Sequence, residues 1–269
     1  MRERFPVIVR GGGDLATGTI YQLHQAGFPV LVLETETPSA IRRYVAFSEA
    51  IYEGTWCVEG VTAQKITHWQ EAKEVLAAGN IPVLSDPRLN ILSQLSPHVL
   101  IDAILAKRNL GTSIHMADTV IALGPGFSAG KDAHFVIETQ RGHHLGRVIT
   151  EGSAAPDTGV PGIIAGFGKE RVIHAPTEGI LRHYSQIGDL VRKGQIIASI
   201  GQTPVTATLD GVLRGLLREG YLVPKGFKIA DIDPRENEQK NCYTISDKAR
   251  CIAGGVLLGI LMRNKGSWI

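Results

Sequence analysis

The chain contains two copies of one segment, and this repeat restricts the possible folds more than any other feature of the sequence. Residues 175–200 and 207–232 align without a gap, and 12 of the 26 aligned positions are identical. Glycines bound the short apolar runs in both copies, as tight turns between strands require. A solenoid needs about three units to bury a continuous core. Two units are therefore expected to close on each other as a small β barrel or sandwich, which also removes open strand edges.

The repeat resembles the barrel-sandwich fold of biotinyl and lipoyl carrier domains. The resemblance lies in residues 188–194, GDLVRKG, which follow the turn pattern Gly-Asp-x-Val-x-Lys-Gly of those domains. Carriers place a modified lysine on the hairpin between the two halves. The corresponding residues here, 201–206, read GQTPVT and contain no lysine. The sequence therefore predicts a rigid packing or docking module rather than a covalent carrier.

The first 168 residues alternate apolar, β-rich runs with helical patterns, among them predicted strands at 30–34, 55–58 and 119–123 and a predicted helix over 39–50. This alternation predicts an α/β domain with a Rossmann-like, mostly parallel sheet that is covered on both faces. Residues 151–169 are rich in Gly, Ala and Pro and are predicted to be a linker. We therefore predict a nucleotide-binding domain over 1–168. The second domain, 169–269, is predicted to combine the biotinyl/lipoyl-like β barrel-sandwich module, with its pseudo-twofold repeat, and a C-terminal helix that begins at 246–247.

Composition and charge exclude several classes of function. The chain is 43% apolar and 20% charged, and its formal net charge is +2. This balance gives no electrostatic footprint for nucleic acid or an acidic membrane surface. The longest uncharged apolar stretch, 252–262, is shorter than the roughly 20 residues of a membrane-spanning helix. No charged-then-apolar leader precedes the first strand, so a cytoplasmic protein is expected. The three cysteines form neither a disulfide pattern nor a zinc motif, and no metal site is predicted.

A glycine loop, residues 10–18, follows the first predicted strand and opens a helix. Its Gly-x-Gly-x-x-Ala spacing fits the dinucleotide fingerprint, in which small residues let backbone amides approach a pyrophosphate. An acid ends the second strand, where it would accept from the ribose hydroxyls. The alternative is a nucleotide-free fold with a tight turn, since the carboxylate of Asp14 repels phosphate unless it is turned away. The residues predicted to hold the nucleotide here are Gly11, Gly12, Gly13, Asp14, Leu15, Ala16 and Glu34.

A second small-residue loop, 124–132, lies between two apolar strands. Loops at strand ends are where open α/β sheets bind ligands. We predict that this loop completes the nucleotide site with Gly124, Pro125, Gly126 and Phe127. Asp102, Lys107 and Arg108 follow another strand end and are candidates for the same pocket. A flexible connector and a structural ion pair are the respective alternatives.

Glu138, Arg141 and His143 follow the next strand and are the predicted catalytic residues. Histidine titrates near neutral pH, and arginine clamps phosphate or carboxylate groups. A hydrogen-bonded structural cluster is the alternative interpretation. A metal site that adds His134 matches no named metal motif.

Five stretches together resemble the YqeB-like accessory proteins of selenium-dependent molybdenum hydroxylases, which are distantly similar to the accessory factors of xanthine dehydrogenase. They are RGGGDLATG (10–18), DAILAKRNLGT (102–112), ALGPGFSAGKDAHFVIETQRGHHLGRVI (122–149), KIADIDPR (228–235) and ISDKARCIAGGVLLGIL (245–261). The resemblance implies a maturation factor that binds a nucleotide, such as a molybdopterin dinucleotide, and passes it to a client molybdenum hydroxylase. An NAD-dependent oxidoreductase of a small substrate is the alternative, although no recognisable set of hydride-transfer residues is present. Whether the chain forms a homo-oligomer stays open.

Overall fold

The computed structural model describes residues 3–263, which form two compact units. The first unit contains the described residues up to Pro38, Ala46–Asp157 and those from Ile245 onward. The second contains Ser39–Val45 and Thr158–Thr244. Both units are thus discontinuous in sequence, whereas the sequence predicted a single boundary after residue 168. The C-terminal helix, predicted to join the β module, belongs to the first unit.

The first unit is built on one nine-stranded sheet in the order β3-β4-β5-β2-β1-β6-β7-β8-β9. Its strands are β1 Glu3–Arg10, β2 Val30–Glu34, β3 Thr55–Val58, β4 Val61–Ile66, β5 Ile81–Ser85, β6 Leu95–Asp102, β7 Thr119–Leu123, β8 Phe135–Ile137 and β9 Val148–Ile149. Its helices are α1 Asp14–Gln25, α2 Ala50–Glu53, α3 Ala72–Ala77 and α4 Asp247–Arg263. Strands β4 to β8 and β1, β2 run parallel, and the two edge strands β3 and β9 are antiparallel to their neighbours. The central strands are continuous buried runs of Val, Ile and Leu, as a sheet covered on both faces requires.

The predicted combination of a Rossmann-like domain with a biotinyl/lipoyl-like module is wrong. The large sheet is mixed, and the strand–helix–strand unit of that fold occurs at β1-α1-β2 and β4-α3-β5 but not in the connections after β5. The β6–β7 connection holds one 3-10 turn, Ile114–Met116, and a glycine-rich loop joins β7 to β8. The helix predicted over 39–50 is instead two 3-10 turns, Arg43–Val45 and Phe47–Glu49, followed by the single turn of α2. These segments are short and lack the apolar periodicity that a crossover helix needs to cover a sheet.

The second unit contains two small antiparallel sheets instead of the predicted module with a terminal helix. Its strands are β10 Val172–His174, β11 Gly179–His183, β12 Leu190–Val191, β13 Ile196–Ile200, β14 Thr203–Thr206, β15 Gly211–Leu216, β16 Leu222–Val223 and β17 Lys228–Asp233. One sheet has the order β10-β17-β15-β12 and the other β14-β13-β11-β16. Each sheet thus takes two strands from one copy of the repeat and one short strand from the other copy. The exchange ties the two copies together.

Helix α4 packs closely in the first unit through small residues. A Cβ atom added to Gly18 of α1 would lie 2.8 Å from the Ala249 carbonyl. Gly255 faces the Gly146 carbonyl in the same way, and Gly259 lies against Ile121. This close approach accounts for glycines inside a helix, where each costs about 1 kcal/mol relative to alanine. No helix of the described residues is long and apolar enough to cross a membrane.

Candidate functional site

The candidate site lies where the parallel strands β1, β6, β7 and β8 end, because their carboxyl ends share one edge of the sheet. The loop after β6 contacts both glycine loops at this edge. A Cβ atom added to Gly11 would lie 3.1 Å from the Ala103 carbonyl oxygen. One added to Gly126 would lie 2.5 Å from the Cα of Arg108. Both glycines have positive φ angles, +100° and +103°, so this tight packing depends on glycine.

The first glycine loop is closed by the protein's own groups. The Gly12 amide donates to the Glu34 carboxylate at 2.7 Å, and the Thr35 amide donates to the other oxygen of that carboxylate at 2.7 Å. Burial raises the pKa of the Glu34 carboxyl, and the two amide hydrogen bonds offset part of the rise. The Asp14 carboxylate accepts from the Leu15 amide. The carboxylate predicted to bind a ribose therefore binds the loop itself.

A second contact covers the same loop from outside. The Gly12 carbonyl accepts from the Ser48 amide at 2.9 Å, and the Phe47 amide donates to the Thr17 hydroxyl at 2.9 Å. A Cβ atom added to Gly12 would lie 3.0 Å from the Ser48 nitrogen. The glycines here serve internal packing, and the binding of a nucleotide by this loop stays a prediction.

Arg10 and Asp102 form a buried ion pair at the ends of β1 and β6. Their closest atoms lie 3.2 Å apart, and the Thr112 hydroxyl donates to the same Asp102 oxygen at 2.6 Å. Arg10 also donates to the carbonyls of Pro87 and Leu110. For Asp102, the structure shows the alternative interpretation, which is a structural ion pair. This pair holds the loop after β6 against the sheet.

The loop after β6 adopts backbone conformations that side chains rarely take. Leu105 and Lys107 have φ angles of 59° and 62°, each of which costs roughly 1–2 kcal/mol outside glycine. Lys107 forms an exposed ion pair with Asp157 at 2.8 Å. The side chain of Arg108 is exposed and forms no ion pair within residues 3–263. The loop thus presents one unpaired cation beside Gly126.

The second glycine loop is anchored at both ends but open at its centre. The Gly124 amide donates to the Ile137 carbonyl, and the Ser128 amide donates to the Asp132 carboxylate. The Phe127 ring is buried, with 4% of its surface exposed. Between these anchors, the amides of Gly126 and Phe127 donate no hydrogen bond in the described part of the chain. The protein's own acceptors in the described residues therefore leave these two amides unused.

The three predicted catalytic residues each make a different contact. Glu138 is buried, and its two oxygens accept from the amides of Gln140 and Ala155 at 2.7 and 2.8 Å. Arg141 forms a bidentate pair with Asp247 at the start of α4. His143 is exposed and stacks edge-on against His144. Each of these contacts is made to a residue outside the predicted set, and the catalytic role of the three residues stays a prediction.

Lys248 is a residue of this region that the sequence reasoning missed. It is half-buried on the first turn of α4 and forms no ion pair within the described residues. Burial lowers the pKa of its amine, as does Arg141, while Asp14, Glu138 and Asp247 oppose the shift. The sequence could have indicated Lys248 as an unusual residue, because the helix dipole disfavours a cation at a helix N-terminus.

Metal-ligating and thiol groups are scattered. Across residues 3–263 no cluster of three or more His, Cys, Asp or Glu side chains is arranged to hold a metal ion. The cysteines are free thiols, Cys57 and Cys251 exposed and Cys242 buried.

Solved structures that compare with the chain are remote in sequence and shape. A succinylglutamate desuccinylase/aspartoacylase from Rhodobacter sphaeroides is 14% identical, with 86% of each chain covered and a TM-score of 0.27. An aspartoacylase family protein from Mesorhizobium loti is 10% identical, with 86% of each chain covered and a TM-score of 0.28. TM-scores this low do not define a shared fold, so no activity is transferred from these proteins.

The functional expectation is corrected at this point. No comparison supports a role in the maturation of a selenium-dependent molybdenum hydroxylase, and that role is not carried further. The alternative, an NAD-dependent oxidoreductase, has no support from the comparisons either, and the Gly12 amide of its predicted binding loop donates to Glu34. Both expectations are therefore set aside.

In sequence, the chain is much closer to one curated protein. No family model matches it. It is 52% identical over 256 residues to the uncharacterized protein YqeB of Escherichia coli (strain K12). The match covers 95% of this chain and 47% of that protein, so the chain spans about half the length of the curated relative. Over nearly all of its own length, the chain is YqeB-like.

Proposed function

We propose that the chain binds a small anionic ligand, through a phosphate or carboxylate group, between the second glycine loop and the loop after β6. The observation that carries the proposal is the pairing of Arg108 with Gly126. The Arg108 backbone packs on Gly126, its guanidinium has no ion-pair partner among the described residues, and the amides of Gly126 and Phe127 have no acceptor there.

The chemistry of this arrangement suits an anion. Successive backbone amides form concave sites for anions, and arginine adds charge-assisted, bidentate hydrogen bonds to phosphate or carboxylate. The buried Phe127 ring and the packed Gly124 fix the loop before a ligand arrives. Preorganisation of this kind lowers the cost of ordering the loop on binding. Nucleotides carry a suitable group, as do simpler phosphate esters and dicarboxylates.

A thermal-shift and calorimetric titration tests the proposal. The probes are inorganic phosphate, CTP, NAD and succinate, each added to the wild type and to Arg108→Gln. A ligand at 100-fold excess over its Kd stabilises the protein by about 2.7 kcal/mol. We expect at least one probe to stabilise the wild type and to lose at least about tenfold in affinity with Arg108→Gln.

Lys193→Gln is the matched control, because Lys193 is also exposed and free of ion pairs among the described residues but lies in the second unit. It should bind like the wild type. Equal losses in both variants would show a general charge effect and overturn the proposal. The absence of any stabilisation of the wild type by the four probes would overturn it as well.

A further inference from the structure

The outer face of the sheet β14-β13-β11-β16 is apolar and exposed. Ile180 of β11 lies opposite Leu222 of β16, and their exposed fractions are 54% and 71%. Tyr184 is 65% exposed and its hydroxyl contacts the Ser199 hydroxyl. An open groove of about 730 Å³ lies beside it, lined by Tyr184, Ile196, Ser199, Gly201, Gln202 and Pro204. We call this surface, with Ile180, Arg182 and Leu222, the bare face.

The repeat provides an internal comparison for the bare face. Val212 and Leu216 occupy in the second copy the positions of Ile180 and Tyr184, and both are fully buried. They share a core cluster with Cys242, which lies in the 3-10 segment Glu236–Tyr243. The same chain surface is thus covered by a short peptide segment in one copy and uncovered in the other.

The two copies also differ in charge, because among the described residues only the second copy has carboxylates near its arginine. Arg214 in the second copy interacts electrostatically with Asp233, and Asp231 lies on the same strand. The equivalent positions in the first copy are Ser199 and Gly201. Arg182, the equivalent of Arg214, lies directly across from Ser199 and has no ion-pair partner among the described residues. The first copy therefore keeps the cation but lacks the carboxylates.

We propose that the bare face docks a short segment of a partner protein, whose apolar side chains cover Ile180 and Tyr184 and whose carboxylate pairs with Arg182. The apolar cover is the property that the second copy already receives from the segment Glu236–Tyr243, and the carboxylate supplies the charge that the first copy lacks beside Arg182. Charge complementarity disfavours a second copy of this chain as the occupant of the bare face, because Arg182 is the sole charged residue among those that define it. A twofold contact would set two such guanidiniums against a surface without an acid.

Selection of short random peptides displayed on phage tests this proposal directly. Wild-type chain and Arg182→Glu are the baits, and Lys193→Glu is the matched control, an exposed lysine outside the bare face. We expect the wild type and the control to enrich peptides that contain an acid flanked by apolar residues. The Arg182→Glu bait should lose them or enrich basic peptides instead.

Fluorescence polarisation with one selected peptide then locates its binding site. Arg182→Glu and Tyr184→Ala should each weaken binding at least about tenfold, which is the effect of removing an interface anchor, and Lys193→Glu should leave it unchanged. Selected peptides without acids, or equal binding to all variants, would overturn the proposal. A self-association of the wild type that disappears in Arg182→Glu would assign the bare face to a second copy and overturn it too.

Discussion

The Glu34 carboxylate accepts a 2.7 Å hydrogen bond from the Gly12 amide and so joins the end of β2 to the first glycine loop. The strand end that supplies Glu34 and the loop that supplies Gly12 are adjacent because β1 and β2 are paired in parallel. This contact stabilises the edge of the sheet at the first glycine loop.

The raised pKa of Glu34 predicts a pH-dependent stability. Above the ordinary glutamate pKa of about 4.3, the folded state holds more protons than the unfolded state, so the free energy of unfolding falls as pH rises. Glu34→Gln removes this titration. Urea unfolding at a series of pH values should show the wild type losing stability relative to Glu34→Gln as pH rises through the raised pKa.

The exposed Glu74→Gln is the control for this series and should change stability by less than about 0.5 kcal/mol at each pH. A constant difference between wild type and Glu34→Gln across the series would contradict the prediction.

The lowered pKa of Lys248 predicts a stability that rises with pH, opposite to the effect of Glu34. The pKa of Lys248 is lowered by burial, so the unfolded state holds more protons than the folded state between the lowered and the ordinary lysine pKa. Stability should therefore rise with pH in this range, and Lys248→Met should remove the rise while it stabilises the protein at neutral pH. Chemical denaturation at neutral and alkaline pH measures both effects. A Lys248→Met variant less stable than the wild type at neutral pH would show that the amine makes a favourable contact.

Two adjacent glycines of α4 offer a matched pair of substitutions. A Cβ atom at Gly255 would meet the Gly146 carbonyl and the Ile137 side chain, whereas one at Gly254 would meet nothing within 4 Å. We expect Gly255→Ala to destabilise by about 1–3 kcal/mol through overpacking. Gly254→Ala should stabilise by up to about 1 kcal/mol, since alanine is the better helix former. Thermal unfolding of both variants checks the pair, and equal shifts would refute the close packing of α4.

Much of the local structure was visible in the sequence. Strands Val30–Glu34, Thr55–Val58 and Thr119–Leu123 are confirmed with the predicted bounds, and so is the C-terminal helix, which begins at Asp247 and ends at Arg263. Each of these segments has a continuous apolar run or a charge pattern at its ends that depends on its own residues alone. Such local signals are the most reliable part of a sequence.

The contacts that define the candidate site were not visible. Gly11, Gly12 and Gly126 were recognised as positions that need small residues, but the sequence did not show what approaches them. Their neighbours, Ser48 and Arg108 among them, come from distant parts of the chain. A glycine signals a close approach and carries no information on whether a ligand or the protein makes it. The assignment of α4 to the first unit was missed for the same reason, since Gly18 and Ala249 meet only in the folded chain.

Breaking the buried ion pair of Arg10 and Asp102 should destabilise the protein far more than breaking an ion pair on the surface. Both side chains are almost fully buried, with exposed fractions of 7% and 2%. Asp102→Asn leaves the guanidinium of Arg10 without a counter-charge, which costs about 3–5 kcal/mol. The exposed pair of Arg4 and Asp118 is the control, and Asp118→Asn should cost less than about 1 kcal/mol. Urea denaturation at neutral pH measures both. Similar losses for the two variants would mean that water reaches Arg10, and that the loop after β6 opens far more readily than its hydrogen bonds indicate.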